Sequence, residues 1–241
     1  MTTLSITDAD VAVLDNVAWH SLSTVHAPFA VGGSLARRYP DDVTVFAAIA
    51  LDDPEAWDAL GEVVPDGGRV IVTRAEPVTP PAGSWTKPWG GYGNQMVLAS
   101  LRPSAGVDAS VTRLEPGHVP QMQALIDIAQ PGPFRPRTID LGEYYGVFDD
   151  DGHLLAMAGE RLQTDRFAEI SAVCTHPSAR GRGLASLLSH QVANAIIDRG
   201  QTPILHVAHG NDGAQRVYER LGFVVRRPVE FAAVQRHALA A

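Results

Sequence analysis

The stretch Val173-Cys174-Thr175-His176-Pro177-Ser178-Ala179-Arg180-Gly181-Arg182-Gly183-Leu184-Ala185 constrains the fold of this chain more than any other. It reads as a strand, a glycine-rich turn and the start of a helix. The apolar stripe of that helix runs through Leu184, Leu187, Leu188, Val192, Ala195 and Ile196 until Gly200 closes it. A strand that hands over to a helix through glycines aims several unpaired backbone N–H groups at one spot, where the helix dipole also favours negative charge. A diphosphate suits that spot. Arg180 and Arg182 add cations beside it. The stretch therefore predicts a phosphate-bearing cofactor, although a lone G-x-G is weak until its surroundings support it.

The surroundings do. Upstream, Val111–Leu114 reads as a strand, Val119–Ala129 as a helix, and Tyr144–Phe148 with Leu154–Leu162 as a hairpin around the acidic turn Asp149-Asp150-Asp151-Gly152. Glu169–Thr175 is the next strand. Downstream come a strand at Ile204–Ala208, a helix at Asp212–Leu221 with Asn211 as N-cap and Gly222 as its end, and a last strand from Phe223. In the first part, Val43–Ile49 and Arg69–Thr73 read as strands around a helix at 54–63 capped by Asp53. Residues 75–94, rich in Pro, Gly and Trp, read as loop, with a strand at Gln95–Leu101 after it. The linker-like Arg102-Pro103-Ser104-Ala105-Gly106 sets a domain boundary, giving parts 1–104 and 105–241. The expected class is α/β (α+β): a mixed, mainly antiparallel sheet flanked by helices.

Charge narrows the partners. Basic residues number 19 and acidic residues 27, a net −8, which argues against nucleic-acid binding. The single cysteine, Cys174, excludes an internal disulfide and a multi-cysteine metal site, and fits a reducing cytoplasm. No His/Asp/Glu cluster has metal-ligand spacing, so no metal is expected. Met1-Thr2-Thr3-Leu4 starts no recognisable signal peptide, and no apolar run reaches the ~18 residues of a membrane span. Oligomeric state leaves no trace in the sequence.

Two motifs in order carry a resemblance. Arg180, Gly183 and Ala185 match the Gln/Arg-x-x-Gly-x-Gly/Ala loop, and Asn211 through Phe223 is similar to N-x-x-A-x-x-x-Y-E-x-x-G-F. Over about Val111 to Arg227 the chain resembles the GNAT superfamily of acyl-CoA-dependent N-acyltransferases, in a branch similar to the C-terminal domain of glycine N-acyltransferases. The resemblance implies acetyl-CoA as donor, a primary amine as acceptor, and direct transfer without a covalent enzyme intermediate. It also implies that the backbone of Val173, Cys174 and Thr175 pairs with the pantetheine arm, and that Gly181, Arg182, Gly183, Leu184, Ala185 and Ser186 hold the pyrophosphate beside Arg180. Asn211 then touches the cofactor near the thioester or pantetheine, and Tyr218 protonates the leaving thiolate. The central strands are expected to splay near Val173 and His206. By size and strand–helix mix, the first part is hypothesised to be a degenerate copy of the same fold without the phosphate loop.

The base is open at this level. Glu169 stands where histone acetyltransferases of the superfamily project their glutamate. A carboxylate of ordinary pKa, about 4.3, is a poor base for an ammonium of about 10, so it needs burial or a water relay. Glu160 is the runner-up. His206 and His209 are candidates for the acceptor site, or structural residues at a strand end. Tyr218 also lies on the apolar stripe of its helix, and Cys174 is a core residue rather than a nucleophile. The rival to an enzyme is a non-catalytic CoA-binding module. A Rossmann domain is disfavoured by the absence of G-x-G-x-x-G after the first strand. The loop at 85–93 either covers the acceptor site or packs between domains, and packing is the favoured expectation.

Overall fold

The computed structural model describes residues 6–104 and 106–237; Met1–Leu4 and Ala105 of the linker lie outside the described residues. The first part supplies α1 (Asp8–Asp15), α2 (Val17–Ser23), β1 (Val31–Gly32), β2 (Ala36–Arg38), β3 (Phe46–Ile49), α3 (Pro54–Val63), β4 (Arg69–Arg74) and β5 (Trp85–Leu98). The second supplies β6 (Thr112–Arg113), α4 (Val119–Ala129), β7 (Tyr144–Phe148), β8 (Leu154–Gln163), β9 (Phe167–Thr175), α5 (Leu184–Asp198), β10 (Thr202–Ala208), α6 (Asp212–Leu221) and β11 (Phe223–Arg236).

Helices form where caps and stripes agree. Asp53 accepts from Ala56 N at 2.8 Å and starts α3. Asn211 accepts from Ala214 N at 3.2 Å and starts α6, which Gly222 ends at φ 99°. A Cβ on Gly222 would stand 1.9 Å from the Ser100 carbonyl oxygen, so glycine is required there twice over. The short helices α1 and α2 go beyond the sequence reading. A capping box between Thr7 and Asp10 starts α1, and Asn16 between the two helices donates to the Ile49 carbonyl at 2.8 Å.

The strands form one 11-stranded sheet in the order β1-β2-β3-β4-β11-β5-β10-β9-β8-β7-β6. The sheet does not break between the two parts. β11, the last strand of the chain, sits between β4 and β5, and β5 sits between β11 and β10. The pairing senses mirror each other about the β11–β5 pair. β4–β11 and β10–β5 are antiparallel, β3–β4 and β9–β10 parallel, β2–β3 and β8–β9 antiparallel. The helix α3 between β3 and β4 corresponds to α5 between β9 and β10.

The loop expected over 75–94 is corrected in its second half, because Trp85–Leu98 is one strand. Ladders on both sides, to β10 and β11, outweigh the local turn chemistry. Pro88, which has no N–H to give, falls in the register shift between Ala233 and Gln235. The helices bury both faces of the sheet. α5 and α6 pack on Ala156, Ala158, Leu205 and Val207, whereas α4 packs on Met157 and Cys174 from the opposite face. In the first part α3 covers Val70, Val72 and Ala232, and α1–α2 cover Phe46, Val97 and Ile204.

Candidate active site

The parallel pairing of β9 with β10 stops at Ile170 opposite Leu205. Beyond it the strands diverge, as the sequence predicted near Val173 and His206. On the other edge of β9, Met157 pairs with Cys174 and Gly159 with Ser171, so Ala172 and Val173 together face Ala158 alone. This is a β-bulge, and Ala172 takes φ 53°, a left-handed conformation unusual for a residue with a Cβ. The bulge leaves Val173 without a ladder partner on either side. Its backbone faces the gap between β9 and β10, where a cavity of about 510 Å³ opens.

That cavity gathers most of the expected cofactor residues: Val173, Cys174, Thr175, Arg180, Ala185, Asn211 and Tyr218. At its outer end the turn leads into α5 through Gly181 and Gly183, both at positive φ of 78° and 77°. Gly183 caps α5 with no side-chain hydrogen bond. Among the described residues the N–H groups from Gly181 through Ser186 find no acceptor, and the first helical bond is Leu187 N to Gly183 O at 3.1 Å. Arg180 and Arg182 are exposed beside them. The row of free donors, the dipole of a 15-residue helix and two cations make an anion site. His176 serves the turn, accepting from Ser178 N at 3.3 Å.

In the first part the matching helix start is already filled. The α3 N-terminus carries its own carboxylate on Asp53. Asp52 beside it accepts from Trp57 Nε1 at 2.6 Å and from Thr79 N at 3.3 Å. An incoming phosphate would meet negative charge there.

Tyr218 reaches the 510 Å³ cavity from α6. Its ring is 8% exposed and meets Phe223 edge-on at 6.2 Å. Its hydroxyl takes no hydrogen bond from any described residue, and burial pushes its pKa up to about 12. Asn211 is committed to capping α6 through Oδ1. Burial pushes the Cys174 thiol up to about 12, so it stays protonated, as expected of a core cysteine.

Glu169 is placed differently from the sequence expectation. It is 1% exposed and lines neither the 510 Å³ cavity nor its neighbour. Arg161 Nε donates to its Oε2 at 3.2 Å, and Arg161 Nη2 and His206 Nδ1 both donate to its Oε1, the latter at 2.9 Å. Burial alone would raise its pKa, but the Arg161 guanidinium and the His206 N–H outweigh it and bring the carboxyl down to about 2. Such a carboxylate holds its neighbours and is a poor proton acceptor. Glu160 is fully buried with Arg199 Nη2 at 2.6 Å and Gln163 Nε2 at 2.8 Å, away from both cavities, and burial raises its pKa.

His206 is also committed. Gln95 Nε2 donates to the Leu14 carbonyl at 2.8 Å and to His206 Nε2 at 3.1 Å, while Arg226 Nη1 donates to Gln95 Oε1 at 2.7 Å. These contacts fix the imidazole ring, with Nδ1 toward Glu169 and Nε2 toward Gln95. His209 stacks on Tyr92 at 6.2 Å and meets Asn94 at 3.0 Å, a structural place at the strand end.

A second cavity of about 240 Å³ adjoins the first, and both are lined by Pro131 and Ala208. Its walls come from both parts of the chain: Phe46, Ile71, Trp89 and Tyr92 from the first, Arg161, His206 and Phe231 from the second. Of the stretch expected to pack between domains, Trp85 is buried against Trp57, whereas Trp89 is 55% exposed and lines this cavity. The loop Pro131–Pro133 after α4, which no sequence signal singled out, closes one side. A wider recess lies apart, between α4 and the β7–β8 turn. There Asp149, Asp151 and His153 bring ligand atoms within 4.8 Å, and Asp149 Oδ1 is engaged by the N–H groups of Asp151 and His153. No helix among the described residues is long and apolar enough to cross a membrane.

Comparison with known proteins agrees with the geometry. The FR47-like protein family model matches residues 144–232. A GNAT-family protein of known structure from Novosphingobium aromaticivorans superposes with a TM-score of 0.84 at 35% identity, covering 93% of this chain and 99% of that one. A GCN5-related N-acetyltransferase from Kribbella flavida shares the fold at a TM-score of 0.62 and 18% identity, over 94% of this chain and 96% of its own. A mycothiol acetyltransferase from Mycolicibacterium gilvum is 31% identical over 103 residues, which are 39% of this chain and 34% of that protein. The match therefore spans about a third of that curated relative's length.

Proposed function

We propose that this chain, which belongs to the GNAT family of acetyltransferases, moves an acetyl group from acetyl-CoA to a primary amine of a small molecule or peptide by direct attack. The observation that carries the reading is the convergence of three features on one cavity: the free N–H row at Gly181–Ser186, the unpaired backbone at Val173, and the unpartnered Tyr218 hydroxyl.

The pyrophosphate sits on the α5 N-terminus beside Arg180 and Arg182, and the pantetheine arm runs along Val173, Cys174 and Thr175 like an added strand. Acetyl-CoA supplies the activated acyl group. The amine nitrogen, its proton lost to solvent, attacks the thioester carbon from the 240 Å³ cavity. As the C–N bond forms, the Val173 N–H stabilises the developing oxyanion. The C–S bond then breaks, Tyr218 gives its proton to the thiolate, and the proton that the former amine nitrogen sheds on becoming an amide returns the phenolate to phenol through solvent. Positioning the two substrates in adjoining cavities supplies much of the rate. Glu169 acts indirectly, by holding Arg161 and His206 in place. The first part is a degenerate copy of the same fold whose anion site is filled by Asp53. It contributes the acceptor wall, and its mirrored strand pairing supports that reading.

The test is release of free CoA thiol from acetyl-CoA across a panel of primary amines. Turnover on at least one amine is expected. Tight CoA binding with no thiol release on any amine would favour the non-catalytic module.

A further inference from the structure

We infer that the acceptor is a small apolar molecule carrying a carboxylate as well as its primary amine, and that Arg161 receives the carboxylate. The inference rests on the acetyl-transfer reading for the role of the second cavity, and names the chemistry of its occupant.

Among the described residues, Arg161 is the one Lys or Arg side chain lining that cavity. Its Nε and Nη2 are spent on Glu169, and its Cζ lies 4.6 Å from the centre of the Phe46 ring. Its Nη1 donates to no described residue, and the side chain lines the cavity. Both Glu169 oxygens are taken, Oε1 by Arg161 and His206 and Oε2 by Arg161. The cavity therefore offers a bare ammonium no carboxylate, and offers an acid a held guanidinium edge.

Charge points the same way. Arg161 and Glu169 cancel. The acceptor enters as its ammonium form and loses that proton to solvent only before attack; on binding, a zwitterion that lays its carboxylate on Nη1 adds no net charge to a desolvated space, whereas a simple ammonium adds one with no counter-ion. The remaining wall is apolar and aromatic, with Trp89, Tyr92, Phe46 and Phe231 around a volume of about 240 Å³. That space suits a molecule of amino-acid size and is small for an extended peptide.

Matched pairs test this in the protein saturated with CoA, read by calorimetric titration: L-phenylalanine against phenethylamine, and L-leucine against isopentylamine. The carboxylated member should bind about ten- to a hundredfold tighter in at least one pair. L-phenylalaninamide, of the same shape without the anion, should bind like phenethylamine. Arg161→Gln should erase the difference between partners, and Arg161→Lys should restore part of it. The wild-type comparisons stand even where the variants fold poorly. Equal or tighter binding of the plain amines, or no binding of either member in both pairs, overturns the inference. CoA replaces acetyl-CoA in this titration, so the outcome is independent of turnover. A protein that binds these acids without transferring acetyl refutes the proposed reaction and leaves Arg161's role intact.

Discussion

Replacing Tyr218 with Phe removes one oxygen and nothing else the fold uses. The hydroxyl has no hydrogen bond among the described residues, and the ring's contact with Phe223 at 6.2 Å is retained. No partner is left unsatisfied, so stability should change by less than ~0.5 kcal/mol. Acetyl-CoA affinity should also hold, because the phosphate contacts lie at the far end of the cleft. The loss falls on the chemical step. A positioned general acid contributes typically about 10²–10⁴-fold, or roughly 3–5 kcal/mol of barrier. The expected signature is thus a kcat lower by that factor, with unchanged Tm and unchanged acetyl-CoA Kd. The wild-type pH profile adds a check: with its pKa raised to about 12, Tyr218 stays protonated through the accessible range, so it imposes no descending limb below that pH. The assay is thiol release under saturating acetyl-CoA. Full turnover by Tyr218→Phe would refute the acid role.

Three further perturbations separate binding, scaffold and site. Gly183→Ala places a Cβ at φ 77°, 2.8 Å from Val107 Cγ2, where a left-handed residue costs about 1–2 kcal/mol; acetyl-CoA should bind about five- to thirtyfold weaker by calorimetry. Asp53→Ala should lower stability to chemical denaturation by about 1 kcal/mol, the worth of an N-cap, while leaving the acetyl-CoA Kd unchanged, since the proposed cofactor site is at α5. Glu169→Gln leaves Arg161 buried without its counter-charge and should cost about 3–5 kcal/mol near neutral pH. The folded pKa of Glu169 is depressed to about 2 from an ordinary 4.5, so the stability it contributes is present above 4.5 and lost as pH falls toward 2. The gap between wild type and Glu169→Gln should therefore close across that acid window, and a constant gap would count against the pairing.

Elements were legible in the sequence where two local signals coincided. Asp53 with Pro54, and Asn211 with Gly222, marked the ends of α3 and α6 because cap and apolar stripe agreed. The glycine turn before α5 was legible because its chemistry is contained in consecutive residues. The stretch 85–94 was not, since its strand is imposed by β10 and β11 from distant parts of the chain. The helices α1 and α2 are only 8 and 7 residues long and broken at Asn16, too short for a periodic stripe. Glu169 was found at its position, but its partners Arg161 and His206 come from neighbouring strands, and they turn a proposed base into the anchor of an ion pair. The 240 Å³ cavity was invisible for the same reason, because Phe46, Trp89, Arg161 and His206 meet only when the two parts share one sheet.

A structure of the protein with acetyl-CoA is the decisive test of where the cofactor lies. The pyrophosphate should lie on the N–H groups of Gly181 through Ser186, the thioester carbonyl on the Val173 N–H, and the sulfur beside the Tyr218 hydroxyl. A cofactor seated elsewhere, or one in this cleft with its thioester turned away from Val173 and Tyr218, would contradict it.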